Sequence, residues 1–158
     1  NRLMENTLEM FVRTCKRLAV HRQFGREIWS VPCDRAQIEQ VLLNLLINAW
    51  QAMPDGGDIY LETKTVVLGE IDCRAYDIRP GLYVTISVTD NGTGMTKEVQ
   101  QQVFDPFFTT KGAKGQGLGQ PIVYNTVIRA RGALNVESNE NETKFLIYIP
   151  VFQPEKSK

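Results

Sequence analysis

Four short segments in a fixed order constrain this chain more tightly than its composition does. They are Asn44-x-x-x-Asn48-Ala49, Asp90-Asn91-Gly92-Thr93-Gly94, Phe104-Asp105-Pro106-Phe107-Phe108 and Gly115-x-Gly117-Leu118-Gly119. Each alone is a weak signal. Together they ask for a helix with two amides on one face, a carboxylate backed by glycines, and a long glycine-hinged loop.

The helix comes first. Asp34-Arg35-Ala36-Gln37 has the form of a capping box, with Asp34 as cap and Gln37 reaching back. The helix it opens is predicted to run to about Met53, before the turn Pro54-Asp55-Gly56-Gly57. At about 100° per residue, Ile38, Val41, Leu42, Leu45, Leu46, Ala49, Ala52 and Met53 form a broad apolar stripe. Beside it runs a narrow polar stripe of Gln37, Gln40, Asn44, Asn48 and Gln51. Asn44 and Asn48 are one turn apart and point the same way. One reading is a solvated face. Against it, asparagine is a poor helix former, an exposed face favours Glu, Lys or Arg, and this stripe has no charge. The other reading is that an amide oxygen coordinates Mg²⁺, a hard ion that keeps several waters beside nucleotide phosphates.

Around this helix the chain reads as a mixture of helices and strands. Met4, Leu8, Phe11 and Cys15 mark an amphipathic helix. Leu18 to Phe24 and Ile28 to Val31 read as strands, the latter ended by Pro32. Ile59 to Val67 and Leu82 to Asp90 read as two long antiparallel strands, joined by a loop over 68–81 to which no chemistry is assigned. A short helix is predicted over 96–103 and another over 121–131, with Pro121 in the first turn. Strands near 133–138 and 143–151 close the chain, followed by a polar tail over 153–158.

Tyr83 to Thr89 leads straight into Asp90. An Asp and two spaced glycines after a strand often make only a turn. The functional alternative is specific: a carboxylate accepts a hydrogen bond from the exocyclic amine of adenine and repels the O6 acceptor of guanine. Gly92 and Gly94 lack a Cβ and let backbone approach a flat base. Further on, Phe104, Phe107 and Phe108 read as an anchor that folds the loop back onto the protein. Gly112, Gly115, Gly117 and Gly119 follow. The segment is neither a Walker loop nor a dinucleotide fingerprint, because the Gly-Lys-Ser/Thr ending and the entering strand are missing. It reads as a glycine-rich lid whose last glycines open a helix and offer amide groups to phosphate. Lys111 and Lys114 add charge there, or are simply solvated. The whole set suits a cavity holding a purine at one end and a metal-bound triphosphate at the other.

Composition narrows the alternatives. At 158 residues the chain suits one domain with its own core. Eighteen basic and eighteen acidic side chains cancel, so no general attraction to nucleic acid or acidic lipid is expected. Nothing resembles a signal peptide, and no apolar run approaches the roughly 20 residues of a membrane span. Cys15, Cys33 and Cys73 are odd in number and form no CxxC, which favours reduced thiols. His21 is the sole histidine, which argues against a histidine-based metal site.

With these motifs in hand, the chain resembles the catalytic, ATP-binding domain of bacterial sensor histidine kinases, in the wider group that includes gyrase, MutL and a heat-shock chaperone. The resemblance spans about 18–150. It implies an α+β fold: a two-layer α/β sandwich with a mixed, mainly antiparallel sheet, helices on one face and a long ATP lid. It implies that Asn44 and Asn48 act at the phosphates with Lys111, and that Asn48 is the Mg²⁺ ligand. Asp90, Gly92, Gly94, Phe107, Gly115, Gly117, Leu118, Gly119 and Thr143 would surround ATP. Domain limits follow as 1–16 for a helix or linker from a preceding dimerisation segment, 17–152 for the catalytic domain and 153–158 for the tail. Three places depart from the family pattern. Gln120-Pro121 follows Gly119 at the lid's hinge, the usual paired glycines appear as Gly132-Ala133, and Asn139-Glu140-Asn141-Glu142 replaces a glycine turn.

The resemblance also implies partners. These are a dimerisation and phosphoacceptor domain of the same protein, a response regulator and a homodimeric full-length protein, but no nucleic acid. The location implied is cytoplasmic, compatible with a membrane-anchored sensor. ATP-hydrolysing relatives carry a glutamate one turn before the metal-binding asparagine; here Asn44 stands there and is no base. Histidine phosphorylation is therefore favoured over a gyrase-type ATPase, with a silent nucleotide-binding module as the third reading. His21, in a predicted strand, reads as a neutral partner in the sheet, and the acceptor histidine is expected upstream of Asn1.

Overall fold

The computed structural model describes residues 2–14, 17–26, 34–74, 76, 78–94, 97–98 and 119–151. In chain order the elements are α1 (Arg2–Thr14), β1 (Leu18–Phe24), α2 (Arg35–Gln51), β2 (Gly57–Leu68), α3 (Glu70–Arg74), β3 (Gly81–Asp90), α4 (Gly119–Arg129), β4 (Ala133–Ser138) and β5 (Thr143–Pro150). The predicted strand over 28–31, most of the predicted helix over 96–103, the phenylalanine segment and the tail lie outside the described residues.

The five strands form one sheet in the order β1-β2-β3-β5-β4. β1 and β2 run parallel, with α2 as their crossover, and the other pairs are antiparallel. This is the mixed, mainly antiparallel sheet of an α/β sandwich. Alternation along the strands puts Ile59 and Leu61 of β2, Val84, Ile86 and Val88 of β3, and Phe145, Ile147 and Ile149 of β5 on one buried face. Against that face lie Met4, Leu8 and Phe11 of α1, the α2 stripe from Ile38 to Ala49, and Val123 and Val127 of α4. α2 packs between α1 and α4. Among the described residues, no helix is long and apolar enough to cross a membrane.

Local chemistry sets the element ends. Asp34, in extended conformation, accepts from the Ala36 amide at 2.9 Å and caps α2. α2 stops at Gln51, short of Met53, because Pro54 disfavours helical backbone in the residue before it. Met53 is nonetheless buried. α4 begins at Gly119, two residues ahead of expectation. Pro121 still falls in the first turn, where the missing N–H has no intrahelical partner to lose. The 68–81 connection is more than a loop: α3 turns Cys73 inward, and Tyr76 just after it meets the Tyr148 ring at 5.5 Å.

The turn after α4 carries the Gly132-Ala133 departure from the family pattern. The Gly132 amide donates to Val127 O at 3.0 Å and the Arg131 amide to Ile128 O at 2.9 Å, the two bonds of a Schellman cap. The left-handed position that glycine usually fills is occupied by Arg131, at φ 62°. Gly132 is needed one residue later, since a Cβ there would collide with the carbonyl oxygen of Tyr148. The two backbone demands thus fall at 131 and 132, and Ala133 is an ordinary strand residue.

Candidate nucleotide site

The site grows from one end of the helix-facing side of the sheet. Two residues past Val88, Asp90 ends β3; two before Phe145, Thr143 opens β5; and the two are direct partners across the strands. Ser138 ends β4 opposite Thr143. The apolar pattern of three strands therefore finishes in a polar row, Asp90–Thr143–Ser138. Asp90 is only 2% exposed and Thr143 4%. The Ser138 and Thr143 hydroxyls lie 2.8 Å apart, and Ser138 also donates to Glu142 O at 2.9 Å.

Among the described residues, the Asp90 carboxyl is held from its own turn, accepting from the Gly92 amide at 2.9 Å. Burial pushes its pKa above the usual carboxylate value; the Gly92 bond opposes this, and nearby Glu142 adds to it. A buried carboxylate is costly unless it is paired. Such a group is suited to accepting from a ligand donor.

Both glycines after Asp90 are required by contact. A Cβ on Gly92 would lie 2.6 Å from Ala52 O and 3.0 Å from Ala52 Cβ. Gly94 has φ 71°, and a Cβ there would overlap the Asn139 carbonyl oxygen. That carbonyl belongs to the β4–β5 turn, whose shape is held by Asn139 Oδ1 accepting from the Asn141 and Glu142 amides at 2.8 and 3.0 Å. The asparagine thus builds, as an Asx turn, what a glycine turn does elsewhere.

Ala52 also ties the Asp90 turn to the amide helix. It lies one turn beyond Asn48, whose carbonyl accepts the Ala52 amide at 3.1 Å. Asn44, Asn48 and the C-cap Ala52 follow at four-residue steps along one edge of α2 and its end, and Gly92 rests on the last of them. Asn44 and Asn48 are half-buried, and Asn44 Oδ1 accepts from Gln40 Nε2 at 3.1 Å. The structure brings Asp90, Gly92, Gly94, Thr143 and the end of the Asn44–Asn48 helix to one corner. Gly119 is the first residue of α4. Lys111, Phe107, Gly115, Gly117 and Leu118 lie outside the described residues.

Sequence reasoning missed Ser138, Asn139 and the environment of Asn91. Ser138 meets Thr143 only through strand register, which no local motif announces. Asn91 is held by Asp58, with Asn91 Nδ2 donating to Asp58 Oδ2 at 3.1 Å and the Asp58 amide donating to Asn91 Oδ1 at 2.9 Å.

A two-layer sandwich with a buried acid at a sheet end, beside a helix bearing uncharged amides, defines a class of nucleotide-binding domain. The profile of the histidine kinase-, DNA gyrase B- and HSP90-like ATPases matches residues 33–153, and the chain belongs to that family. It is 39% identical over 135 residues to the sensor kinase CckA of Brucella abortus, covering 84% of this chain and 14% of that protein. It is 36% identical over 128 residues to sporulation kinase E of Bacillus subtilis, covering 80% of this chain and 15% of that one. The chain spans a small part of these curated relatives. Its fold is similar to the catalytic domain of the histidine kinase ThkA, with TM-score 0.76, 28% identity, and coverage of 95% and 92% of the two chains.

Proposed function

We propose that this domain binds Mg²⁺-ATP and passes the γ-phosphoryl group to a histidine on a dimerisation segment elsewhere in a longer protein. The observation that carries the reading is the buried Asp90, opposite Thr143 and against the end of the amide-bearing helix. Its carboxylate accepts the exocyclic amine of adenine, and the glycine turn leaves room for the ring. The kinase names of the two curated relatives and the ThkA likeness support the same reading.

The donors fit the metal. Among the described residues no three His, Cys, Asp or Glu side chains gather as a cation site. Asn48, with Asn44 beside it, instead offers neutral oxygen, the donor type Mg²⁺ takes when phosphates and water supply the rest. When bound, Mg²⁺ neutralises charge on the phosphate oxygens. On this reading Lys111 and the glycines Gly115, Gly117 and Gly119 serve the phosphates, and Phe107 and Leu118 contact the nucleotide. In the transfer, the bond from the γ-phosphorus to the bridging oxygen breaks, ADP leaves, and an imidazole nitrogen gains phosphorus. A neutral imidazole brings its own lone pair, so a chain with Asn44 in place of a basic residue is suited to it.

The natural partners on this reading are the acceptor domain, within a homodimer, and then a response regulator. The domain works in the cytoplasm, compatible with an anchored sensor. Radiolabelled ATP with an added helical acceptor domain tests the reading: label on the acceptor histidine is expected. Rapid phosphate release without acceptor would indicate a gyrase-type ATPase. Tight Mg²⁺-ATP binding with no transfer would indicate a silent module.

A further inference from the structure

Beside the Asp90 corner, several contacts converge on Asp58 at the start of β2. His21 of β1, register partner of Tyr60, stacks on that ring with centroids 4.7 Å apart and 15° between planes. Its Nε2 lies 2.9 Å from Asp58 Oδ1. The other carboxylate oxygen accepts from Asn91 Nδ2 at 3.1 Å. The Asp58 amide also donates to Asn91 Oδ1 at 2.9 Å, and the two backbones pair through the Asn91 amide, which donates to Asp58 O at 3.3 Å. Room for this is made at Gly57, where a Cβ would lie 2.6 Å from Asn91 Oδ1.

Asn91 is exposed, so water would satisfy it; three bonds to a single residue instead fix its orientation. The hydrogen bond from His21 chiefly holds the Asp58 carboxyl below its usual pKa, with partial desolvation opposing and Asn91 assisting. An ionised Asp58 only accepts, so His21 Nε2 is the donor. Asn91 in turn separates Asp90 from Gly92, whose amide orients the Asp90 carboxylate.

Resting on the reading of Asp90 as the adenine contact, we infer that Asp58 and His21 are positioning residues. Through Asn91 they set the angle at which Asp90 meets the base, and with it the preference for ATP over GTP. They touch no nucleotide themselves.

The test is calorimetric titration of the chain with Mg²⁺-ATP and Mg²⁺-GTP, alongside thermal unfolding. The variants are Asp58→Ala, Asp58→Asn, His21→Ala and the double alanine. Asp58→Ala should lower the ATP-to-GTP affinity ratio by about two- to tenfold, the range for one or two lost hydrogen bonds. Asp58→Asn should recover most of the ratio, because its amide oxygen still accepts from Asn91. His21→Ala should lower it less and add nothing to Asp58→Ala, since it acts through that residue. A fall in Tm with an unchanged ratio in Asp58→Ala and His21→Ala overturns the positioning role alone. Absence of any ATP preference in the unmodified chain overturns the reading of Asp90 as well, so the two failures are distinguishable.

Discussion

The β3–β5 pair has two ends with opposite chemistry. At one, Asp90 faces Thr143; at the other, Tyr83 faces Pro150. The first end buries a carboxylate and hydroxyls among tightly apposed turns. The second opens into a groove of about 890 Å³ lined by Leu82, Tyr124, Ile128, Val151, Arg79 and Arg131 among others, and holding none of the described candidate site residues. Both ends carry local strain. At the far end it is a left-handed Arg131, next to a Gly132 whose lack of Cβ lets it pass Tyr148. That strain belongs to the turn that caps α4. At the near end the strain is electrostatic, a buried acid with its pKa raised by burial, and packing alone does not call for it. A feature that costs stability without serving the core is the better pointer to function.

The sharpest way to break the comparison is with glycines. Gly94 and Gly81 both have positive φ, but only Gly94 is also crowded. Gly94→Ala should cost about 2–4 kcal/mol, combining backbone strain and overpacking. Gly81, at φ 153° in open space, would be strained but not crowded, so Gly81→Ala should cost less, about 1–3 kcal/mol. Equal losses in denaturant unfolding would remove the near turn's special tightness.

Asp90→Asn should weaken Mg²⁺-ATP binding by about 10- to 100-fold, the range for a hydrogen bond to a charged group. Because the Asp90 pKa is raised in the fold, its contribution to stability is present in full below the unfolded value and is lost as pH rises through the folded one. The asparagine variant avoids that loss. Its Tm relative to the parent, without nucleotide, should therefore rise between pH 3 and pH 7. A variant less stable than the parent at pH 7 would show that the carboxylate supports the core after all.

Asn48→Ala should reduce the Mg²⁺ dependence of ATP binding by about fivefold, as for one lost ligand hydrogen bond or contact. A metal titration unchanged from the parent would remove Asn48 from that role. The smallest effect belongs to the far end. Arg131→Gly should stabilise the fold by about 0.5–1 kcal/mol, relief of the left-handed strain being partly offset by a looser unfolded chain. ATP affinity should not move; if it does, the two ends are coupled and the contrast between them fails.

Much of this was legible in the residues. The α2 stripe from Ile38 to Ala49, the Asp34 cap, β1 at 18–24 and the inward faces of β3 and β5 follow from periodicity and capping chemistry, which act within a few residues. Boundaries were less so. Met53 leaves its helix because of Pro54, and α3 forms because Cys73 has somewhere to bury; neither is visible in a hydrophobic pattern. Gly132 answers to Tyr148, a neighbour only across the sheet, which no local pattern announces.

What the sequence determined alone were the local commitments: which segments coil or extend, which faces are apolar, and which residue types are chemically equipped to meet a nucleotide. Only the tertiary structure decided that Asp90, Thr143 and Ser138 end in one row, that Gly92 rests on Ala52 one turn beyond Asn48, and that Asn91 is gripped by Asp58. Local patterns arise from steric and hydrogen-bond preferences along the chain. Register and close approach arise from packing between segments dozens of residues apart, and they have no signature until the sheet is assembled.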